Sequence, residues 1–121
     1  MKRTVSEFIE SLLAELENIM SYWMNHAVDN KNGGFYGTIL SSGVPVKDAN
    51  KGAILNGRIL WSFSAAYNFN KNPEYLKAAD RAFNYLSEFF IDKKNSGVFW
   101  ELDYSGKPVN SRKQAYALGF A

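Results

Sequence analysis

The residue best suited to chemistry in this sequence is Arg58, which lies inside the apolar run of residues 53–61. A guanidinium in such a run either extends to the surface along its aliphatic stem or points into a cavity. In a cavity, its planar fork could hold an oxyanion or the oxygens of a sugar. Composition alone favours the structural role. Gly57 lowers helix propensity by about 1 kcal/mol relative to Ala, which indicates close approach by a neighbouring helix or a ligand.

A second candidate group is Tyr116 with Lys113, three residues apart near the predicted start of the last helix. Residues at this spacing share one helix face. Tyr is intermediate in burial, so Tyr116 fits a core position as well as a binding position. Lys113 is better explained as a solvated charge than as a catalyst, and we retain it only as a weaker candidate for ligand contact.

Several other chemistries lack the residues they need. His26 is the only histidine, and we expect it near the end of the first helix, where a positive charge is favourable. With no cysteine and one histidine, the chain offers neither a thiolate nucleophile nor a Ser/His/Asp set. Residues 48–52 resemble the start of a calcium loop, but Ile59 stands where a bidentate Glu is required. We expect no metal and no cofactor.

These candidates must be positioned by a structural repeat. Residues 29–46 recur as residues 92–109 at an offset of 63, with matching Asp, Asn, Gly, Ser, Pro and Val positions. Such a period indicates that one supersecondary unit is built twice and that the units stack to cover their apolar faces. Both matched segments read as loops, so we expect function along one face of the stack.

The local signals predict an all-α chain of helix–β-hairpin–helix repeats. A capping box begins the first helix, with Thr4 as N-cap and Glu7 three residues later. Asn72 and Pro73 begin the third helix. The predicted elements are a helix over residues 4–26, a strand over 35–40, and helices over 50–69, from 73, and from 111 onwards. The predicted inner stripe of the third helix is Tyr75, Leu76, Ala79, Phe83, Leu86, Phe89 and Phe90.

Composition limits the class of protein. The 121 residues are 46% hydrophobic and 16% aromatic, with a formal net charge of +2. Because no basic stripe is present, we expect no nucleic-acid partner. Acidic residues interrupt the N-terminal apolar pattern, so we expect no signal peptide, no membrane span and a cytoplasmic location.

The apolar end of the sequence, residues 116–121, has no helix C-cap. We therefore expect residues 1–121 to be a single partial domain, with repeats at about 4–70 and 72–121, the second incomplete. Six units of this period would close a ring of roughly 380 residues. The remainder of that ring would then be a missing partner.

Together these features resemble the N-acylglucosamine 2-epimerase superfamily, and within it the cellobiose 2-epimerases. The motifs that carry the resemblance are Gly33-Gly34-Phe35-Tyr36-Gly37, Ile54-Leu55-Asn56-Gly57-Arg58-Ile59-Leu60-Trp61, Gly97-Val98-Phe99-Trp100 and Lys113-Gln114-Ala115-Tyr116-Ala117. The resemblance extends along the whole chain but corresponds to about the N-terminal third of a family enzyme. It implies an N-terminal fragment of an (α/α)6 barrel.

The resemblance also implies a reaction. Family enzymes reversibly invert C2 of the reducing-end glucose or mannose unit of a sugar such as cellobiose or lactose. A base removes the C2 proton of the open-chain sugar, an enediolate forms, and an acid returns the proton to the opposite face. The resemblance assigns these steps to two histidines outside this chain, assigns Arg58 to enediolate stabilisation, and makes Tyr116 a substrate contact. Trp61 and Lys113 are weaker substrate-binding candidates.

The family pattern is not followed everywhere, and other functions stay open. Leu118 stands where the family commonly has Gln, and Gly57 where it has Ser or Ala. The alternatives are an N-acylglucosamine 2-epimerase proper, an aldose–ketose isomerase of the same fold, and a non-catalytic helical repeat that binds a carbohydrate or a protein.

Overall fold

The computed structural model describes residues 3–121, which form a helical chain with a few very short strands. The helices are α1 (Val5–Tyr22), α2 (Ala53–Asn70), α3 (Pro73–Tyr85) and α4 (Ala115–Phe120). The strands are β1 (Lys51–Gly52), β2 (Glu101–Leu102) and β3 (Pro108–Asn110). Helices α1 and α3 each continue into a wider π-helical turn, at Trp23–Ala27 and Leu86–Phe90 respectively.

Two helix starts follow their sequence signals. The Thr4 hydroxyl accepts a hydrogen bond from the Glu7 backbone N–H at 3.2 Å, and the Glu7 carboxylate accepts one from the Thr4 N–H at 2.7 Å. The Asn72 side chain accepts a hydrogen bond from the Glu74 N–H at 3.0 Å, with Pro73 in the first helical position. Each cap satisfies backbone donors that the first helical turn leaves free.

The repeat seen in the sequence is also present in the backbone. The π-helical turns at the ends of α1 and α3 are 63 residues apart. Each is followed by an extended residue, Val28 or Ile91, which forms a β-bridge with Phe35 or Val98. Both repeats therefore contain the same π-helical turn, the same extended residue after it and the same β-bridge, 63 residues apart, as the repeated loop sequence predicts.

The predicted strand over residues 35–40 was wrong. This segment forms only isolated bridges, such as that between Ile39 and Pro45, and between them Gly37 packs tightly against the Asn50 carbonyl. The regular sheet lies elsewhere, with antiparallel order β1–β2–β3. Since β1 precedes α2 and β2 follows α3, this sheet ties the two repeats together.

Because of this sheet, α2 and α4 both begin later in the chain than the sequence predicted. Helix α2 begins at Ala53 rather than Asn50, since Lys51 and Gly52 pair with β2. Helix α4 begins at Ala115 rather than near Ser111, because β3 occupies the preceding residues. Lys113 therefore precedes α4, and the expectation that it shares a helix face with Tyr116 was wrong.

The main core forms where α2 packs against α3 and the loop after α1. Large rings from three parts of the chain meet there, Phe35, Phe63 and Tyr75, all nearly inaccessible to solvent. A second cluster joins the loops to α4 through Ala53, Tyr85, Leu86, Phe90, Val98, Leu102 and Ala117. The predicted inner stripe of the third helix was only partly right: Leu76 and Phe83 are exposed. Ala78, Ala82 and Tyr85 are buried instead. The two alanines allow α3 to lie close to α2, and Tyr85 packs into the second cluster.

Helix α1 is the least covered of the helices. Its apolar stripe has the predicted helical spacing, yet Phe8 and Leu12 stay 53% and 54% exposed, and Met20 is its buried residue. Within residues 3–121, we find no helix long and apolar enough to cross a membrane.

Candidate active site

Arg58 lies on α2 at the side of its buried stripe, which contains Ile59, Phe63 and Ala66. The Arg58 side chain is exposed, and its Nη2 donates a hydrogen bond to the Tyr116 hydroxyl oxygen at 3.1 Å. The guanidinium carbon also lies 4.9 Å from the centre of the Phe120 ring, within the range of a cation–π interaction. Arg58 and Tyr116 are therefore in contact, although they lie 58 positions apart in the sequence.

Arg58 lines two pockets, one on each side of α2. The first has a volume of about 220 Å³, lies between α1 and α2, and is largely apolar; its other lining residues are Ile19, Met20, Trp23, Leu55, Ile59, Ser62 and Phe63. The second has a volume of about 500 Å³ and lies between α2 and α4; its other lining residues are Gly57, Trp61, Ser62, Gly119 and Phe120. A donor-rich cation with apolar walls fits a ligand that carries several oxygen atoms.

Gly57 explains how α4 comes so close to Arg58. A Cβ atom placed on Gly57 would collide with the carbonyl oxygen of Phe120 and touch its Cβ at 3.0 Å. The sequence left open whether a helix or a ligand approaches Gly57, and the approaching element is α4. The absence of a side chain here therefore sets the distance between the two helices.

Tyr116 is 58% exposed, so its position is not that of a core residue. Its ring lies edge-on to Phe120, with centroids 5.0 Å apart. Sequence reasoning missed Phe120 as a member of this group. The available signal was its spacing, because Phe120 lies four residues after Tyr116 and so shares its helix face. Trp61 is 72% exposed and lines the same pocket as Arg58 and Phe120.

Lys113 is directed away from this group. Its Nζ forms an ion pair with Asp92 Oδ2 at 2.8 Å and lies 4.3 Å from the centre of the Phe99 ring. The hydrogen bond from Lys113, together with backbone N–H groups of the loop, holds the pKa of Asp92 far below its usual range. The structure therefore pairs Lys113 with the loop that follows α3 rather than placing it beside Arg58.

His26 also lies apart from Arg58. It belongs to the π-helical turn after α1, with its ring centre 4.9 Å from that of Tyr22, and it lines neither pocket of Arg58. Over residues 3–121, no group of three or more His, Cys, Asp or Glu side chains is arranged to hold a metal ion.

Sequence reasoning also missed a buried ion pair that supports the first loop. Lys51 Nζ lies 2.8 Å from Asp29 Oδ2 and from the Gly33 carbonyl oxygen, and both charged side chains are almost fully buried. Burial acts to raise the pKa of Asp29, but the Lys51 ammonium and the loop N–H groups outweigh it and keep that pKa below its usual value. Arg81 joins the network by donating to the backbone carbonyls of Asp29 and Gly34.

Tyr85 closes this network from α3. Its ring packs against Gly33 and Gly34 and lies 4.9 Å below the Lys51 ammonium. Burial, followed by the negative charges of Asp29 and Asp103, raises the pKa of Tyr85 to about 12. The Tyr85 hydroxyl therefore stays protonated, and the residue packs against the loop as an uncharged aromatic side chain.

Comparison with known proteins agrees with this architecture. The family model described as N-acylglucosamine 2-epimerase (GlcNAc 2-epimerase) matches residues 14–121. A cellobiose 2-epimerase from Bacteroides fragilis is 50% identical over 103 residues, which cover 85% of this chain and 26% of that protein.

Solved structures give the same result. Cellobiose 2-epimerase from Bacillus thermoamylovorans superposes with a TM-score of 0.82 at 36% identity, over 92% of this chain and 30% of that one. The enzyme of the same name from Spirochaeta thermophila gives a TM-score of 0.83 at 31% identity, over 98% and 30%. The expected fold class is confirmed: the chain has the architecture of part of an (α/α)6 barrel. It spans less than a third of the length of these relatives.

Proposed function

The chain belongs to the N-acylglucosamine 2-epimerase family, and from that membership we propose that it contributes the oxygen-binding part of a carbohydrate 2-epimerase site. The proposed reaction is reversible inversion at C2 of the reducing-end glucose or mannose unit of a β-1,4-disaccharide such as cellobiose or lactose. The observation that carries the proposal is the Arg58–Tyr116 hydrogen bond at 3.1 Å, beside a pocket. A cytoplasmic location remains a prediction.

Arg58 has the properties that this reaction needs. Removal of the C2 proton from the open-chain aldehyde gives an enediolate, whose negative charge develops on the oxygens of C1 and C2. A guanidinium stays protonated and offers up to five N–H donors in a fixed plane. One donor is used by the Tyr116 hydroxyl, and the Phe120 ring meets the group through its π face. The remaining donors are available to bind the developing oxyanion.

Tyr116 and Trp61 would shape the rest of this part of the site. By accepting a hydrogen bond from Arg58, the Tyr116 oxygen keeps its own O–H available to donate to a sugar hydroxyl. Trp61 is largely exposed and contributes to the wall of the pocket lined by Arg58. An exposed ring next to a hydrogen-bonding cation suits a sugar, which has both C–H faces and hydroxyl edges.

The proton transfers need other groups. His26 lines neither Arg58 pocket, and the family resemblance assigns the acid and the base to two histidines outside these 121 residues. We therefore propose that this chain supplies substrate binding and charge stabilisation but not the proton carriers, and that it is inactive alone.

The proposal is tested by incubating the protein at its full natural length with lactose and with cellobiose and separating the products. Formation of the C2 epimers, epilactose from lactose, is expected. Formation of the 2-ketose alone would identify an aldose–ketose isomerase, and turnover of N-acetyl amino sugars in place of disaccharides would identify an N-acylglucosamine 2-epimerase. Binding of sugar without any turnover would support a non-catalytic module.

A further inference from the structure

The same carboxylate–ammonium pair occurs once in each repeat. Asp29 pairs with Lys51, and Asp92 pairs with Lys113, both with an Oδ2–Nζ distance of 2.8 Å. In each case the other carboxylate oxygen accepts backbone N–H groups two and three residues further along the loop, at 2.9–3.1 Å. Each lysine lies two residues before a helix, α2 or α4. The pair therefore links the loop that leaves one helix to the start of the next.

The two pairs differ in what they support. Lys51 and Asp29 are 1% and 0% exposed and hold the start of the long helix α2. Lys113 and Asp92 are 30% and 5% exposed. They hold the start of α4, whose N-cap Gln114 makes no side-chain hydrogen bond. The start of α4 therefore relies on contacts such as this ion pair rather than on a side-chain cap.

Lys113 is close in sequence to Tyr116, whose hydroxyl group accepts the hydrogen bond from Arg58. Tyr116 follows it by three residues and contacts Arg58. Between the ion pair and Tyr116 the chain is extended and then enters the first turn of α4. The Lys113 stem also runs past Gly97, with its Cδ 3.5 Å from where a Cβ of that residue would stand, so Gly97 leaves room for it.

We propose that the Lys113–Asp92 ion pair is a positioning device that sets the Tyr116 hydroxyl against Arg58, so that Lys113 acts through Tyr116 and not by touching the sugar. This inference rests on the proposed function, since the positioned pair is the oxygen-binding group of that reaction. It replaces the weaker expectation that Lys113 contacts substrate.

A double-mutant cycle in the full natural protein tests the coupling. Lys113→Met keeps the aliphatic stem and removes the charge. We expect it to lower kcat/KM for C2 epimerisation about tenfold when Tyr116 is present, but less than twofold in a Tyr116→Phe background, because the hydroxyl to be positioned is then absent. Equal losses in both backgrounds would overturn the inference, since they would mean that Lys113 acts independently of Tyr116.

Matched variants separate positioning from simple destabilisation. Asp92→Asn should reproduce the loss, and Lys113→Arg, which keeps a cation for Asp92, should restore kcat/KM to within about threefold of the unmodified protein. Lys94→Met, an exposed lysine of the same loop, should leave kcat/KM unchanged. If Lys113→Met does not fold, the Asp92→Asn and Tyr116→Phe pair supplies the same cycle. Loss of activity in Lys113→Arg as large as in Lys113→Met would contradict the inference.

A crystal structure of the Lys113→Met variant provides a readout that does not depend on activity. We expect the Arg58 Nη2 to Tyr116 Oη distance to increase from 3.1 Å to beyond 3.5 Å. A retained distance of 3.1 Å would overturn the inference even in an active enzyme. If the unmodified protein does not epimerise sugars, the proposed function fails, and the structure still decides whether the ion pair positions Tyr116.

Discussion

At the scale of single residues, the chain places its charges in two different environments. Arg58 is exposed at the edge of a pocket. Its guanidinium donates a hydrogen bond to the Tyr116 hydroxyl and contacts the Phe120 ring, and its other N–H groups can donate to a ligand. Lys51 and Asp29 are buried and satisfy each other and the loop backbone. These two charges therefore stabilise the loop, whereas the Arg58 charge can interact with a ligand in the pocket.

The first prediction concerns Arg58. If its guanidinium stabilises the enediolate, Arg58→Ala should lower kcat for C2 epimerisation by about 10²–10³-fold in the full natural protein, the usual effect of losing one oxyanion donor. Steady-state kinetics on lactose measure this. Arg112→Ala is the control, because Arg112 is exposed in the loop before α4, and it should change kcat by less than twofold. An Arg58→Ala effect within a factor of two would remove its catalytic role.

The second prediction concerns pH. The pKa of folded Asp29 is below the unfolded value of about 3.9, so its stabilising effect is complete above that pH and is lost as the pH falls towards the folded pKa. Asp29→Asn should lower the free energy of unfolding by about 3–5 kcal/mol at pH 7, because Lys51 then stays buried without its counter-charge. The difference from the unmodified protein should shrink below pH 4.

Thermal or denaturant unfolding at pH 7 and pH 3 measures this difference. Asp48→Asn, at an exposed carboxylate, serves as the control and should change stability by less than about 0.5 kcal/mol at both pH values. A loss for Asp29→Asn that is equally large at both pH values would show that the ionised carboxylate is not its cause.

At the scale of elements, the proposed site depends on how closely α4 approaches α2. The two helices meet at Gly57, where the Phe120 backbone occupies the space that a side chain would need. The same approach brings Tyr116 and Phe120 to Arg58. The cost of Gly in the interior of α2 is therefore offset by a contact that no larger residue permits.

The third prediction follows from this contact. Gly57→Ala should lower the free energy of unfolding by about 1–3 kcal/mol, because the added methyl group forces α4 away and outweighs the gain of about 1 kcal/mol in helix propensity. Gly119→Ala is the matched control, since nothing lies within 4 Å of its Cβ position. It should be neutral or slightly stabilising in chemical denaturation. If Gly57→Ala is as stable as Gly119→Ala, the contact is not tight in solution.

At the scale of the whole molecule, the described residues leave broad apolar faces uncovered. Phe8, Leu12 and Phe83 are 53%, 54% and 56% exposed, and they lie on two different helices, α1 and α3. Apolar patches of this kind normally meet other protein surface. The relatives that the chain matches are about three times as long.

The fourth prediction is that the 121-residue chain, prepared by itself, self-associates. Size-exclusion chromatography with light scattering should give masses above 13.7 kDa that increase with concentration. Replacing Phe8 and Leu12 by Lys should reduce association by removing the apolar stripe of α1. A monodisperse monomer with a sharp melting transition would contradict the prediction.

Local signals in the sequence were sufficient for the features that depend on neighbours along the chain. The caps at Thr4 and Asn72 are local, the 63-residue period can be read from the sequence without any knowledge of contacts, and the structure contains each of them. Arg58 was identified for the same reason, because a cation within an apolar helix is visible from its flanking residues. These features are fixed by backbone hydrogen bonding and side-chain type, which do not require knowledge of distant contacts.

Only the tertiary structure could decide the features that depend on distant residues. The start of α4, the Asp partner of Lys113 and the side of α3 that is buried each depend on contacts with segments far away in sequence. Phe120 joins Arg58 because Gly57 allows α4 to approach. Strand pairing and close packing override local preference wherever a long-range contact is stronger than a short-range one. The sequence thus identified the cation, and the fold decided what it touches.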